Sequence, residues 1–88
     1  MPFFVYILLC DDGSFYTGYT KNLNHRIKMH TNGKGAKYTK SHKPKKVVFV
    51  ELFNTRSEAL IRERKIKNKT HNQKQELINN NNIRQIKQ

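Results

Sequence analysis

Residues 3–19 read FFVYILLCDDGSFYTGY and predict a β-hairpin, the element around which the rest of the fold is arranged. Two apolar segments flank Asp12-Gly13, and Asp-Gly is a strong signal for a tight hairpin in which both central residues have positive φ. The first segment, Phe3 to Leu9, is apolar at odd and even positions alike. Because a strand of this kind is covered on both faces, it is expected to be the central strand of its sheet.

Two tyrosines lie in this hairpin. Tyr6 lies in the first strand, and Tyr16 stands across the turn, followed by Thr17 and Gly18. A glycine inside a strand packs no side chain and usually marks a bulge or the close approach of another backbone or a ligand. Taken alone, each tyrosine is more often a core residue with a hydrogen-bonded hydroxyl than a functional one. The other elements of the chain must therefore decide their role.

The composition is strongly basic. Of 88 residues, 18 are Lys or Arg and six are Asp or Glu, which gives a formal net charge of +12. No acidic residue occurs from Gly13 to Val50. A solvated surface could carry this charge, but so long a stretch of one sign repels itself and more often indicates a polyanionic partner. The chain has no basic amphipathic helix with a large apolar face, so nucleic acid is predicted rather than a membrane.

Length and cysteine content set the expected organisation. The sequence predicts one domain over residues 1–80 and a polar, basic, disordered tail over residues 81–88. No apolar stretch is long enough to cross a membrane, and no secretory leader pattern is present. The single Cys10 cannot form an internal disulfide, which favours a reduced, cytoplasmic location.

A first helix is predicted from Leu23 to about His30. Either Thr20 or Asn22 is suited to cap its N-terminus. At about 100° per residue, Arg26 and His30 lie one turn apart on the side that is expected to meet the sheet.

Residues 31–46 predict a basic loop. Gly33, the predicted end of the preceding helix, and Gly35 are expected to keep its start flexible. Tyr38 stands among lysines, a combination that suits base stacking and contact with a nucleic-acid backbone, although a ring folded back onto the core is an equal alternative. The residues predicted to contact nucleic acid are Tyr19, Lys21, Lys34, Lys37, Tyr38 and Lys40.

The rest of the chain predicts one more strand and two helices. Residues 47–53, VVFVELF, form the strand. Thr55 and Glu58 form a capping-box signature for a helix over about 57–69, and a short last helix is predicted around 72–79. The expected fold is thus α+β, with a small three-stranded antiparallel sheet flanked by helices in the order β-β-α-β-α-α.

Glu63 is the most informative residue of the second long helix. Ala59, Leu60 and Ile66 form its buried stripe, and Glu63 falls in the middle of that stripe. Because an unpaired buried carboxylate is costly, Glu63 needs a cation. An internal ion pair would satisfy it, and so would one Mg²⁺ ion that keeps most of its waters and uses a single protein carboxylate.

These residue types together suit the hydrolysis of a phosphodiester. A base must activate the attacking water, a metal must offset charge on the oxygens, and an arginine such as Arg26 must hold the phosphoryl group. Tyrosine is an unusual base because its free pKa is about 10. Nearby cations or a metal-bound water would have to favour the phenolate or take part in a proton relay for Tyr6 or Tyr16 to act near neutral pH.

The chain resembles the GIY-YIG nuclease superfamily over about residues 3–78, and in particular its small stand-alone bacterial branch. It is also similar to the nuclease core of eukaryotic enzymes that cut branched DNA. The individual motifs are short, but their order and spacing together are highly specific. The motifs are Val5-Tyr6-Ile7, Tyr16-Thr17-Gly18, Leu23-x-x-Arg26-x-x-x-His30 and Glu58-Ala-Leu-Ile-Arg-Glu63-x-x-Ile-Lys67.

The resemblance implies a DNA endonuclease with one Mg²⁺ or Mn²⁺ ion and a role in DNA repair or recombination. It implies that Glu63 binds the metal and that Arg26 contacts the scissile phosphate. Tyr6 or Tyr16 is then the base or orients the water, and His30 assists proton transfer or contacts the phosphate.

The sequence also departs from the family pattern. Phe4 or Val5 replaces the glycine of the first motif, and Tyr19 stands where many members have a lysine. An asparagine that some members carry near the end of the core has no clear equivalent. A zinc-binding cysteine set and an additional DNA-binding domain are also missing, so either low selectivity or a protein partner that supplies substrate choice is expected.

Two other classes of function fit the charge equally well. One is a catalytically inactive nucleic-acid-binding module on the same scaffold, and the other is an RNA- or ribosome-associated protein. A binding module has no use for an inward-facing Glu63, which would repel phosphate unless a cation intervened. This residue favours the enzyme, and DNA is favoured over RNA as its substrate.

Overall fold

The computed structural model describes the backbone of residues 2–87 and the side chains of residues 2–80. An antiparallel sheet with the strand order β2-β1-β3 is flanked by helices, which confirms the predicted α+β fold. A five-residue helix, α2, is added inside the segment predicted as a loop. The elements are β1 (Phe3–Cys10), β2 (Phe15–Thr20), α1 (Leu23–Thr31), α2 (Lys37–Ser41), β3 (Pro44–Phe53), α3 (Arg56–Lys67) and α4 (His71–Lys87).

The strand β1 is central, as predicted, and its alternating side chains serve two different faces of the sheet. Val5 and Ile7 are fully buried and join the apolar core with Ala59 and Ile66 of α3. Tyr6, between them, points to the opposite face because successive side chains of a strand alternate. One face of the sheet therefore holds the core together, while the other carries Tyr6.

The β1–β2 turn differs from the predicted type. The N–H of Cys10 donates to the carbonyl of Ser14, and the N–H of Gly13 donates to the carbonyl of Cys10. Gly13 has φ 84°, whereas no non-glycine residue in the described part of the chain has positive φ. The prediction of positive φ at Asp12 is therefore wrong. A turn followed by one left-handed glycine makes the connection, and the Asp12 carboxylate accepts the N–H of Ser14.

The helix α1 has clear signals at both ends. Asn22, one of the two predicted caps, accepts a hydrogen bond from the N–H of His25 at 3.1 Å. Gly33 has φ 76°, and the N–H of Lys34 donates to the carbonyl of Met29 across it. This Schellman arrangement ends the helix, which confirms Gly33 as the stop.

The helix α3 begins with the predicted capping box of Thr55 and Glu58. Of its predicted buried stripe, Ala59, Glu63 and Ile66 are buried, whereas Leu60 is half-buried.

Two other elements are longer than predicted. The strand β3 begins at Pro44 rather than at residue 47, and α4 covers His71–Lys87 rather than 72–79. The predicted tail, residues 81–88, lies outside the residues whose side chains are described. Within the described chain, no helix combines the length and the apolar character that crossing a membrane requires.

Candidate active site

Gly18 makes room for two tyrosine rings. It pairs with Tyr6 across the β1–β2 ladder. A Cβ atom at Gly18 would lie 2.6 Å from the Tyr6 hydroxyl oxygen and 3.2 Å from Cε2 of Tyr16. The close approach that the glycine indicated is thus made by the chain's own side chains rather than by a backbone or a ligand. The Tyr6 and Tyr16 ring centroids are 6.4 Å apart.

His30 of α1 lies fully buried against Tyr6, with its Nε2 atom 2.8 Å from the Tyr6 hydroxyl oxygen. Its other ring nitrogen, Nδ1, is 2.9 Å from the hydroxyl oxygen of Thr39, and that hydroxyl donates its proton to the carbonyl of Ala36 at 3.1 Å. Because a hydroxyl has one proton, Thr39 must accept from Nδ1–H. In neutral His30, Nε2 is then the acceptor, and Tyr6 donates to it.

The electrostatics agree with this assignment. Burial lowers the pKa of His30, and the nearby Arg26 guanidinium lowers it further, so the imidazole is neutral at pH 7. Burial raises the pKa of the Tyr6 hydroxyl to about 12, a rise that Arg26 partly opposes and that Tyr16 and Glu63 reinforce. Tyr6 is therefore a neutral phenol, and its proton is directed at a basic nitrogen.

The segment after α1 shapes this cluster. A Cβ atom at Gly35 would lie 2.7 Å from Cγ of His30, so this glycine is required for close packing over the imidazole. The sequence predicted flexibility at Gly35, and this packing role was not predicted. Thr39 lies in α2 and is buried, and it was not predicted to be part of the site. No residue spacing in this lysine-rich segment indicates a buried hydroxyl.

Glu63 lies on the buried side of α3 and is 9% exposed. Its nearest cation is Lys67, whose Nζ is 3.6 Å from Oε2 and whose side chain is 51% exposed. An i,i+4 pair with a half-exposed lysine is a weak partner for a buried carboxylate. Within the described side chains, Glu63 makes no hydrogen bond and belongs to no group of three or more potential metal ligands. This carboxylate suits one hard divalent cation that retains its waters.

Tyr16 connects the buried cluster to the surface. Its ring centroid is 5.0 Å from that of His30 and 6.0 Å from that of Tyr38, onto which it stacks at an angle of 27°. Tyr38 is 36% exposed, so it is not folded into the core. The four lysines predicted to contact nucleic acid are exposed. Lys21 precedes α1, Lys34 precedes α2, and Lys37 and Lys40 lie in α2.

Tyr19 is separated from the other predicted contacts. It packs against the apolar core on the Val5 face of the sheet. Its hydroxyl accepts a hydrogen bond from Nε of Arg56 at 3.2 Å. The structure therefore brings Tyr6, Tyr16, Arg26 and His30 together and leaves Tyr19 outside this group. Glu63 lies on α3 near enough for its charge to help raise the pKa of Tyr6, although it makes no hydrogen bond with these described side chains.

A β-β-α-β-α-α scaffold that gathers two tyrosines, an arginine, a histidine and a lone glutamate defines the GIY-YIG class of domain. The model of the GIY-YIG catalytic domain matches residues 2–76, and the chain belongs to this family. It is similar to a UPF0213 protein of Staphylococcus epidermidis, with 55% identity over 75 residues, 85% of this chain and 92% of that protein.

Two solved structures show the same fold. The solution NMR structure of a UPF0213 protein from Bacillus halodurans is 43% identical, with a TM-score of 0.59 over 90% of this chain and 84% of that one. The solution NMR structure of an E. faecalis protein is 40% identical, with a TM-score of 0.64 over 91% of this chain and 85% of that one. The small stand-alone branch predicted from the motifs is thus confirmed.

Proposed function

We propose that this protein is a metal-dependent endonuclease that hydrolyses phosphodiester bonds in DNA. The observation that carries the proposal is the hydrogen bond from the Tyr6 hydroxyl to Nε2 of neutral His30. A tyrosine with a pKa of about 12 is not ionised at neutral pH and cannot act as a free phenolate. It can accept a proton from an attacking water while its own proton passes to His30.

Arg26 and Glu63 supply the other requirements of the reaction. The Arg26 guanidinium lies close enough to Tyr6 and His30 to lower both pKa values, so a phosphoryl group in contact with Tyr6 would be within its reach. Its charge would stabilise the negative charge that builds on the phosphoryl oxygens. Glu63 would hold one Mg²⁺ or Mn²⁺ ion, which supplies charge neutralisation at the phosphate oxygens.

The basic surface would supply affinity for the DNA backbone. Lys21, Lys34, Lys37 and Lys40 are exposed, and each lysine that neutralises a phosphate releases a counterion. The family match supports nucleic acid as the substrate, and DNA is preferred to RNA in this proposal. A role in DNA repair or recombination, with a protein partner that supplies substrate choice, is part of this proposal.

A catalytically inactive nucleic-acid-binding module is the second candidate, and the Lys67–Glu63 contact favours it. At 3.6 Å, this contact neutralises part of the Glu63 charge without a metal. In such a module, Glu63→Gln would strengthen DNA binding in the presence of EDTA, and Mn²⁺ would have no effect. In the enzyme, Mn²⁺ binding would require the Glu63 carboxylate.

The test is cleavage of branched, single-stranded and duplex DNA with and without Mn²⁺. Glu63→Gln and Arg26→Ala are each expected to reduce the rate by about 100-fold or more, because each removes a charge that acts on the reacting phosphate. The controls are the same substitutions at exposed residues, Glu76→Gln and Arg64→Ala. These two variants should cleave DNA at the wild-type rate. Equal traces of cleavage in all five proteins would indicate a contaminant and overturn the proposal.

A further inference from the structure

A row of aromatic rings leads from the candidate active site to the surface. It begins at the buried Tyr6, continues through Tyr16 and Tyr38, and ends at His42, immediately after α2. The Tyr16 and Tyr38 centroids are 6.0 Å apart, and those of Tyr38 and His42 are 4.0 Å apart at an interplanar angle of 15°. The outer end is accessible, because Tyr38 is 36% exposed and the His42 side chain is also 36% exposed.

The outer end of the row is held in place by the hairpin turn. The Asp12 carboxylate lies 2.6 Å from Nδ1 of His42. Asp12 is itself fixed by the N–H and the hydroxyl of Ser14, at 3.0 and 2.6 Å. The Ser14 hydroxyl and His42 keep the pKa of the Asp12 carboxyl below its usual range, so Asp12 is an anion at neutral pH. The Tyr38–His42 stack is therefore already ordered before any ligand binds.

Folding alone does not account for this arrangement. Two half-exposed groups such as Asp12 and His42 contribute little to stability when they pair. Stacked rings at the surface also leave apolar area in water that burial would remove. A rigid, solvent-exposed aromatic surface next to Lys37 and Lys40 instead has the composition of a site that stacks nucleobases while lysines contact the backbone.

We propose that the Tyr38–His42 stack is a binding site for an unpaired base near the scissile phosphodiester, so that the preferred substrate is DNA with single-stranded nucleotides near the cut. This proposal rests on the proposed endonuclease function and names the substrate class for it. A base inside a duplex has both faces covered by its neighbours and must be unstacked before an aromatic side chain can cover it. A base in a single strand or at a branch point is free to stack.

Binding of a thymidine dodecamer and of an abasic strand with the same number of phosphates tests this inference. The Glu63→Gln background, without metal, prevents cleavage during the measurement. The dodecamer should bind more tightly than the abasic strand by about 5- to 150-fold for one stacked base. Tyr38→Leu and His42→Ala should remove most of this preference, whereas Tyr38→Phe, which keeps the ring, should retain it.

His71→Ala is a matched control, because His71 stacks on Phe15 at 4.6 Å and 16°, a similar pair away from this row. It should leave the preference for bases unchanged. Lys37→Ala should weaken binding of both strands alike, since both carry the same phosphates.

A preference for bases that survives both Tyr38→Leu and His42→Ala would overturn the stacking site. An equal loss of this preference in Tyr38→Leu, His42→Ala and His71→Ala would also overturn the stacking site. The two proposals fail separately: ring-dependent binding without Mn²⁺-dependent cleavage would overturn the nuclease, and cleavage with ring-independent binding would overturn the stacking site.

Discussion

The Tyr6 hydroxyl and the His30 Nε2 atom lie 2.8 Å apart between a central strand and the end of the first helix, and both residues are fully buried. This pairing changes how the reaction is understood. A tyrosine that acts alone would need its pKa lowered by several units to serve as a base near neutral pH. A tyrosine that donates to a neutral histidine needs no such shift, because the proton that it gains from the water replaces the one that it gives to the histidine.

Thr39 is predicted to fix the tautomer of His30. Thr39→Val removes the acceptor of the Nδ1–H while keeping the shape of the side chain, so the ring is no longer held with its Nε2 lone pair toward Tyr6. The rate of cleavage at saturating DNA should fall about tenfold or more, as it does when the partner that orients a functional histidine is lost. Thr39→Ser should restore most of the activity.

The nitrogen chemical shifts of the His30 ring distinguish this role from a structural one. The wild type should show a protonated Nδ1 and an unprotonated Nε2, and Thr39→Val should change that pattern. An unchanged tautomer together with reduced activity would show that Thr39 acts through packing alone.

Stability should depend on pH through His30. Burial and Arg26 lower the pKa of His30 in the folded protein, so the unfolded chain binds more protons as the pH falls below its ordinary value of about 6.5. The contribution of neutral His30 is therefore complete above about pH 6.5 and is lost as the pH falls through the lower pKa of the folded state. The measurement is urea unfolding of the wild type and of His30→Gln from pH 5 to pH 7.5.

The free energy of unfolding of the two proteins should differ in its dependence on pH only below about pH 6.5. The free energy of unfolding of the wild type should fall more steeply with decreasing pH than that of His30→Gln. Parallel curves would mean that His30 has the same pKa in the folded and unfolded chain.

Gly18→Ala is predicted to damage the site through one methyl group. A Cβ atom at this position would lie 2.6 Å from the Tyr6 hydroxyl oxygen, so Tyr6 must move away from His30. Overpacking of this kind costs about 1–3 kcal/mol, and the displaced hydroxyl should abolish most of the cleavage. The measurements are urea unfolding and cleavage of the same preparation.

Gly13→Ala provides the comparison for that experiment. Gly13 has φ 84°, and a methyl group added there would meet no atom within 4 Å, so the substitution strains the backbone but leaves the site alone. It should cost about 1 kcal/mol of stability while cleavage by the folded protein is retained. A comparable loss of cleavage in Gly18→Ala and Gly13→Ala would show that activity does not depend on the position of Tyr6.

The sequence is most informative where the signals are local. An apolar segment without alternation is enough to predict that Tyr6 lies in a central strand, and the Thr55 capping box together with helical periodicity places Glu63 on a buried face. The predicted turn type at Asp12 was wrong because Asp-Gly also fits a longer connection with a single left-handed glycine.

The surroundings of Thr39 and Tyr19 were not predicted, for two different reasons. Thr39 contacts His30, nine residues away in another helix, and its own five-residue helix is too short to leave a periodic pattern. Tyr19 stands next to Gly18 in sequence but on the opposite face of the sheet, because side chains of a strand alternate. The position of Tyr19 next to a motif in the sequence therefore did not predict which residues surround its side chain.

The lysines around α2 are predicted to determine the salt dependence of DNA binding. Lys34, Lys37 and Lys40 are exposed, and each phosphate contact contributes about 0.7 to 0.9 to the slope of log affinity against log salt. Replacing all three by alanine should therefore reduce that slope by about 2, while replacing three exposed cations of α3, Arg56, Arg64 and Lys65, should change it little. The measurement is fluorescence anisotropy with labelled DNA over a range of KCl concentrations. Equal changes for both triple variants would show that the affinity arises from the net charge of the molecule rather than from this surface, because only direct contacts release counterions from particular phosphates.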